Sequence, residues 1–121
     1  MAGPKPRIVV DYVNNVAVVT FTNDKILEEA DVKAIEESVF PLVRQSEPVL
    51  LVLNFENIQF LSSAVLGILI RILTAVKRKD GHMRLCGINE KIYDIFKITR
   101  LNKVFEAHPD VASAVKSIQA G

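Results

Sequence analysis

The sequence has little of what most chemistry needs. It holds a single cysteine, Cys86, so no intramolecular disulfide can form. Its two histidines, His82 and His108, are far apart and lack the spacing of metal ligands. Neither a G-x-x-x-x-G-K loop nor a G-x-G-x-x-G loop is present, so ATP has no standard cradle here. No apolar run approaches the roughly 18 residues that span a bilayer; the best, Ala64 to Ile70, stops at Arg71. An excess of charge of either sign is lacking as well. The formal net charge is +1, which gives no electrostatic reason to expect nucleic acid or an anionic membrane as partner. The opening residues Met1 to Pro6 lack the apolar region of a secretory signal. The cytoplasm is the expected compartment, and no cofactor is expected.

Catalytic groups are equally thin. Cys86 lies in an expected strand and reads as a small buried hydrophobe, without a positioned base to make it a nucleophile. Glu28-Glu29 and Glu36-Glu37 are paired in sequence only, because adjacent helical residues do not face each other. These absences argue against an enzyme and toward a binding module.

What is present is a core. Half of the 121 residues are hydrophobic, enough for one globular domain. Residues 1–6 carry two prolines and read as a flexible lead-in; residues 7–121 read as the domain. Arg7 to Val13 and Val16 to Thr22 are rich in β-branched residues, and Asn14-Asn15 between them suits a tight hairpin. Asp31 is expected to cap a helix carrying Val32, Ile35, Val39 and Leu42/Val43, with Pro41 kinking it or ending it early. The run Val49 to Leu53 suits a strand buried on both faces. A helix is expected over roughly Ser62 to Lys79, with Gly81 as its left-handed cap. The Lys77-Arg78-Lys79 run favours that helix's C-terminal dipole. His82 to Gly87 reads as a strand, Asn89 caps a helix with Ile92, Ile95 and Phe96, and Val104-Phe105 reads as a last short strand. Asp110 caps a final helix with Val111, Ala114, Val115 and Ile118. The expected fold is a mixed α/β sheet: an antiparallel hairpin, then parallel strands, packed with about four helices.

One segment narrows the class. Val52-Leu53-Asn54-Phe55-Glu56-Asn57-Ile58-Gln59-Phe60-Leu61-Ser62-Ser63-Ala64-Val65-Leu66-Gly67 resembles the signature of the STAS family, the fold of anti-sigma factor antagonists. That signature is a buried strand, a turn, then Phe-hydrophobic-Asp-Ser-Ser-Gly-Leu-Gly opening a helix. Leu85-Cys86-Gly87-Ile88 and Thr99 to Phe105 look like the family's C-terminal half. The likeness runs from about Arg7 to Ile118. This sequence departs from the signature at two positions: Leu61 stands where the family has aspartate, and Ala64 where it has glycine.

The resemblance implies a function. An anti-sigma factor that is also a serine protein kinase would bind the chain and phosphorylate the second serine, Ser63, with Ser62 the weaker candidate. A serine phosphatase is the further partner that such a cycle implies. Unphosphorylated, the chain would sequester the anti-sigma factor and free a sigma factor for transcription. The contact surface would hold Asn57, Leu61, Ser62, Ser63, Ala64, Gly67 and Arg71. A non-phosphorylated STAS scaffold, or an accessory subunit of a signalling or transporter complex, is the alternative.

The residues themselves leave two points open. Ser62 and Ser63 could be only the start of a helix, and Asn54, Glu56 and Asn57 only a turn. Gly67 costs its helix about 1 kcal/mol relative to alanine. It serves either close packing on its own sheet or the approach of a partner's backbone. Helical projection puts Leu66, Leu69, Leu73 and Val76 on the core face, with Ile68 and Ile72 at its edge. Ser63, Gly67, Thr74 and Arg78 fall on another stripe, beside Ala64 and Arg71.

Overall fold

The computed structural model describes residues 8–27 and 29–120; the expected lead-in, 1–6, lies outside them. Strands β1 (Ile8–Val13) and β2 (Val16–Phe21) form the expected hairpin. Asn14 and Asn15 both take positive φ, 50° and 70°, as a type I′ turn requires. There follow β3 (Lys25–Ile26), α1 (Glu29–Gln45), β4 (Leu50–Asn54), β5 (Phe60–Leu61) and α2 (Ser63–Arg78). The chain closes with β6 (His82–Cys86), α3 (Glu90–Ile98), a 3₁₀ turn (Leu101–Lys103), β7 (Ala107–His108) and α4 (Val111–Ala120).

The main sheet has the order β1-β2-β4-β6-β7, antiparallel in its first pair and parallel in the rest. β3 and β5 form a separate two-stranded parallel ladder. The class read from the sequence is therefore the class observed. β4 is central and buried on both faces, as its unbroken apolar run demands. Leu51 and Leu53 join Val19, Phe21 and Leu85 in the larger core, which α1, α2 and α3 cover. Val52 joins Val18 and Cys86 in the smaller core, which Ala114, Val115 and Ile118 of α4 cover.

Four local expectations are corrected. α1 begins at Glu29, so Asp31 sits in the first turn, where its charge favours the helix dipole, instead of at the cap. Pro41 lies inside α1 and does not end it early, since the helix continues to Gln45; Val39 and Val43 are buried on either side of it and hold both halves against the sheet. The last strand is Ala107–His108, beside Leu85–Cys86, not Val104-Phe105. Phe105 instead enters the core and meets the Phe96 ring edge-on at 5.9 Å. After α2 it is Asp80, not Gly81, that takes the left-handed conformation (φ 54°). Gly81 is needed for space, because a Cβ there would lie 2.4 Å from the Val49 carbonyl oxygen.

Lys77 and Arg78 lie in the last turn of α2, where their charge favours its dipole as expected, but Lys79 has a different role. Lys79 Nζ donates to the carbonyls of Val43, Arg44 and Ser46 at 3.1, 2.9 and 2.9 Å. It satisfies two carbonyls in the last turn of α1, the neighbouring helix, and one just beyond it, and places a cation at that helix's negative end.

At the far edge, Glu106 joins β7 to α4. Its carboxylate accepts from Ser117 Oγ at 2.6 Å and from His108 Nε2 at 2.8 Å, and it pairs with Arg84. The Ser117 bond first, then the His108 bond, outweigh partial burial; with the Arg84 charge they lower its pKa from 4.5 to about 2. A depressed carboxylate pKa stabilises the fold above the ordinary value, and that contribution disappears as pH falls through the folded value. Glu106→Gln should therefore be less stable than the parent near neutral pH, by less than about 1 kcal/mol because the side chain is half exposed. The difference should close between pH 4.5 and about 2 in paired urea titrations. A difference that stays constant across that range would show that the carboxylate is not selectively ionised by its neighbours.

Candidate functional site

The segment between β4 and α2 is held from below by apolar anchors and from the sides by asparagines. Phe55, Ile58 and Leu61 are buried. Asn54, the buried polar residue among those described, donates to Thr20 Oγ1 at 3.3 Å and to Glu56 Oε1 at 3.1 Å, and accepts from the Glu56 amide at 3.1 Å. Asn57 donates to the Phe21 carbonyl at 3.0 Å. Asn89 donates to the Ile58 carbonyl at 3.2 Å while capping α3 through the Ile92 amide at 2.8 Å. The ladder then takes over: the amides of Gln59 and Phe60 bond to the Asp24 carbonyl, and the Ser62 amide to the Ile26 carbonyl. A loop tied in this way presents its next residues at a fixed angle.

Those next residues are the two serines, and the structure separates them. Ser62 is the N-cap of α2 in extended conformation (φ −90°, ψ 163°), but its side chain makes no capping bond. Its Oγ is buried without a hydrogen-bond partner. Ser63, the first helical residue, is exposed. Ala64, Gly67 and Arg71 are exposed along the same side, and Thr74 and Arg78 continue it. Arg71 pairs with Glu36 of α1 at 3.2 Å. The projected core face holds, since Leu66, Leu69, Leu73 and Val76 are buried, and Ile68 and Ile72 are buried with them.

Of the residues expected at the surface, Leu61 is misplaced. Its side chain is 8% exposed and belongs to the main core. β5 directs alternate residues to opposite sides, so Phe60 faces solvent and Leu61 does not. The Gly67 alternatives also resolve in part. A Cβ added there would meet nothing within 4 Å, so packing against its own sheet does not require the glycine.

Phe60 is a surface group that the sequence pattern does not single out. It is 46% exposed, with Lys91 Nζ 5.1 Å and Lys25 Nζ 6.0 Å from its ring centroid. With Leu27, Leu61, Ile92 and Ile95 it lines a groove of about 320 Å³. No signal in a single sequence separates Phe60 from Leu61 unless the strand register is known.

The remaining reactive groups do not gather here. Burial first, then the negative charges of Glu56 and Asp110, raise the Cys86 thiol to about 12, so it stays protonated. His82 opens β6 and His108 faces the other end of that strand. No cluster of three metal-ligating side chains occurs among the described residues.

The fold and this helix start identify a known domain family. The family model for the STAS domain matches residues 7–114, and the chain belongs to that family. A curated anti-sigma-B factor antagonist of Staphylococcus aureus is 28% identical over 101 residues, covering 78% of this chain and 94% of that protein. Among solved structures, an anti-sigma-factor antagonist domain protein from Planctomyces limnophilus superposes with a TM-score of 0.86 at 18% identity, over 93% of this chain and 97% of that one. The phosphorylated form of a Bacillus cell fate determinant superposes at 0.68 and 13% identity, over 92% and 98%.

Two substitutions check the helix start. A capping serine normally loses about 0.5–2 kcal/mol on replacement by alanine. Ser62→Ala should lose nothing, or gain up to about 1 kcal/mol, because it removes a buried hydroxyl that has no partner. A loss above about 1 kcal/mol in urea denaturation would mean that the hydroxyl caps after all. Gly67→Ala should gain about 0.5–1 kcal/mol, because the site is open and helical; a loss would reveal a close approach to that position.

Proposed function

We propose that this protein is an anti-sigma factor antagonist that binds an anti-sigma factor, itself a serine protein kinase, through the face around Ser63. Phosphorylation of Ser63 would release that partner. The observation that carries the reading is the division of the serine pair: the Ser62 hydroxyl is buried, and Ser63 stands exposed at the start of α2. A kinase can reach one oxygen and not the other.

The surroundings support it. Ala64 and Gly67 leave room beside Ser63 for a partner backbone to come close. Arg71, one further turn along, is already paired with Glu36, so the face offers few unpaired cations to hold a phosphate against the chain itself. A phosphoserine would add about −1.5 to −2 charges at pH 7 in the middle of this contact. A partner bound there would have to bury that charge or leave. The lack of a phosphate loop means that ATP arrives with the partner. The description of the Staphylococcus aureus relative and the phosphorylated state of the Bacillus neighbour point the same way. The role is that of a cytoplasmic binding module without catalysis of its own. A serine phosphatase would restore the unmodified form.

Leu61 favours a second reading. It fills the core where the family signature has aspartate, and it can supply no carboxylate beside Ser63. A constitutive scaffold needs none.

Purified protein incubated with ATP and the serine kinases of its own genome distinguishes the two. The proposal expects phosphate on Ser63 by peptide mass spectrometry and none on Ser63→Ala. It also expects Ser63→Asp to weaken partner binding by about tenfold or more, as a misplaced interfacial charge does. A kinase that binds the protein tightly but leaves Ser63 unmodified would support the scaffold instead.

A further inference from the structure

β1 is an edge strand of the main sheet, and among the described residues nothing pairs with its outer side. Natural edges are commonly protected by lysine, proline, bulges or shortness. This one is six residues, Ile-Val-Val-Asp-Tyr-Val, in unbroken register with β2 and with one charge, Asp11. Val9, Tyr12 and Val13 are 44%, 65% and 39% exposed. Such a strand is a ready template for another strand.

The hairpin fixes which groups are free. Val13 and Val16 close a two-residue loop and so form a hydrogen-bonded pair. Bonded and non-bonded pairs alternate along an antiparallel ladder. Val13, Asp11 and Val9 therefore turn their amides and carbonyls toward β2, and Tyr12, Val10 and Ile8 turn theirs outward. Opposite residues in an antiparallel pair share a face, so a two-fold axis relating two copies of β1 must pass through a residue position. An axis at Val10 pairs Ile8 with Tyr12, Val9 with Asp11 and Val10 with Val10. All three outward residues then exchange bonds, giving six N–H···O contacts. An axis at Asp11 would set two like charges directly opposite. Axes at Val9 or Tyr12 pair shorter lengths of strand.

We infer that two copies of this chain pair antiparallel through β1, with Val10 on the two-fold axis, and join their sheets into one of ten strands. Strand length, outward groups and the single charge all select the same register, so the edge is self-complementary as an isologous dimer requires. This contact uses no residue of the Ser63 face and does not depend on the function proposed there.

Sedimentation equilibrium of the full chain from micromolar to millimolar concentration tests it. The expected result is a reversible monomer–dimer equilibrium. Val10→Pro should abolish the dimer and leave the hairpin intact, since the lost N–H points away from β2. Val9→Lys places a cation against the partner's Asp11 at two symmetric positions and should tighten the dimer by roughly 2- to 30-fold. Val9→Asp should weaken it by a comparable factor. A monomer at every concentration overturns the inference. So does a dimer indifferent to both Val9 substitutions, and that pair decides the matter even if circular dichroism shows Val10→Pro to be unfolded.

Discussion

The structure depends on β4 being buried from both sides. Leu51 and Leu53 point to one layer of helices, and Val52 to the other. Each such side chain contributes about 1.5–3 kcal/mol when fully removed from water. A strand of this kind must lie inside the sheet, which requires neighbours on both edges and cover on both faces. β2 and β6 provide the neighbours in parallel register. The helices α1, α2 and α3 cover one side and α4 the other. The place where β4 leaves the core then determines where α2 can begin.

That exit is a sequence of anchors. Phe55, Ile58 and Leu61 are buried at intervals of three, and the residues between them are left outside. Phe55 meets Phe21 of β2 with ring centroids 5.0 Å apart, while Leu61 packs with Ile26 in the same core. An aspartate at position 61 would sit in these apolar surroundings and need hydrogen bonds or a changed protonation state. Leucine removes that cost and tightens the anchor. The serine pair is thus carried on a more apolar footing than the family signature has, and its exposure pattern follows from that footing: Leu61 in, Ser62 half covered, Ser63 out.

Much of this was legible in the chain, for local reasons. The turn at Asn14-Asn15 and the caps at Asn89 and Asp110 are made by their own backbone or by bonds to residues three away, and all three behave as read. The stripe Leu66, Leu69, Leu73, Val76 follows from helical geometry alone. What escaped depends on distant contacts. Lys79 serves the end of α1, more than thirty residues back, and nothing near it in sequence says so. Gly81 is small because the Val49 carbonyl is close. Val104 and Phe105 have strand-like composition, yet the ladder with β6 forms at Ala107 and His108 while Phe105 fills space beside Phe96. Whether Phe60 or Leu61 faces solvent depends on β5 pairing with β3. In each case tertiary contact outweighs local preference.

The start of α2 differs from the other helix starts in a way that bears on the proposed switch. α1 has Glu29 and Asp31 in its first turn, α3 has Asn89 and Glu90, and Asp110 accepts from the Ser113 amide at the start of α4. α2 has no acidic residue in its first turn and no side-chain cap bond. The Val65 amide reaches the Ser62 carbonyl at 3.1 Å. The partial positive charge of this helix end is otherwise left to solvent. A phosphate on Ser63 would meet that charge and stabilise its own helix. Phosphorylation would therefore leave the fold intact and change only what the face presents. Release of a partner would follow from repulsion and desolvation at the contact, not from unfolding of α2. A phosphorylation cycle of the kind proposed would need a modification that the fold tolerates, and the uncapped start of α2 would provide one.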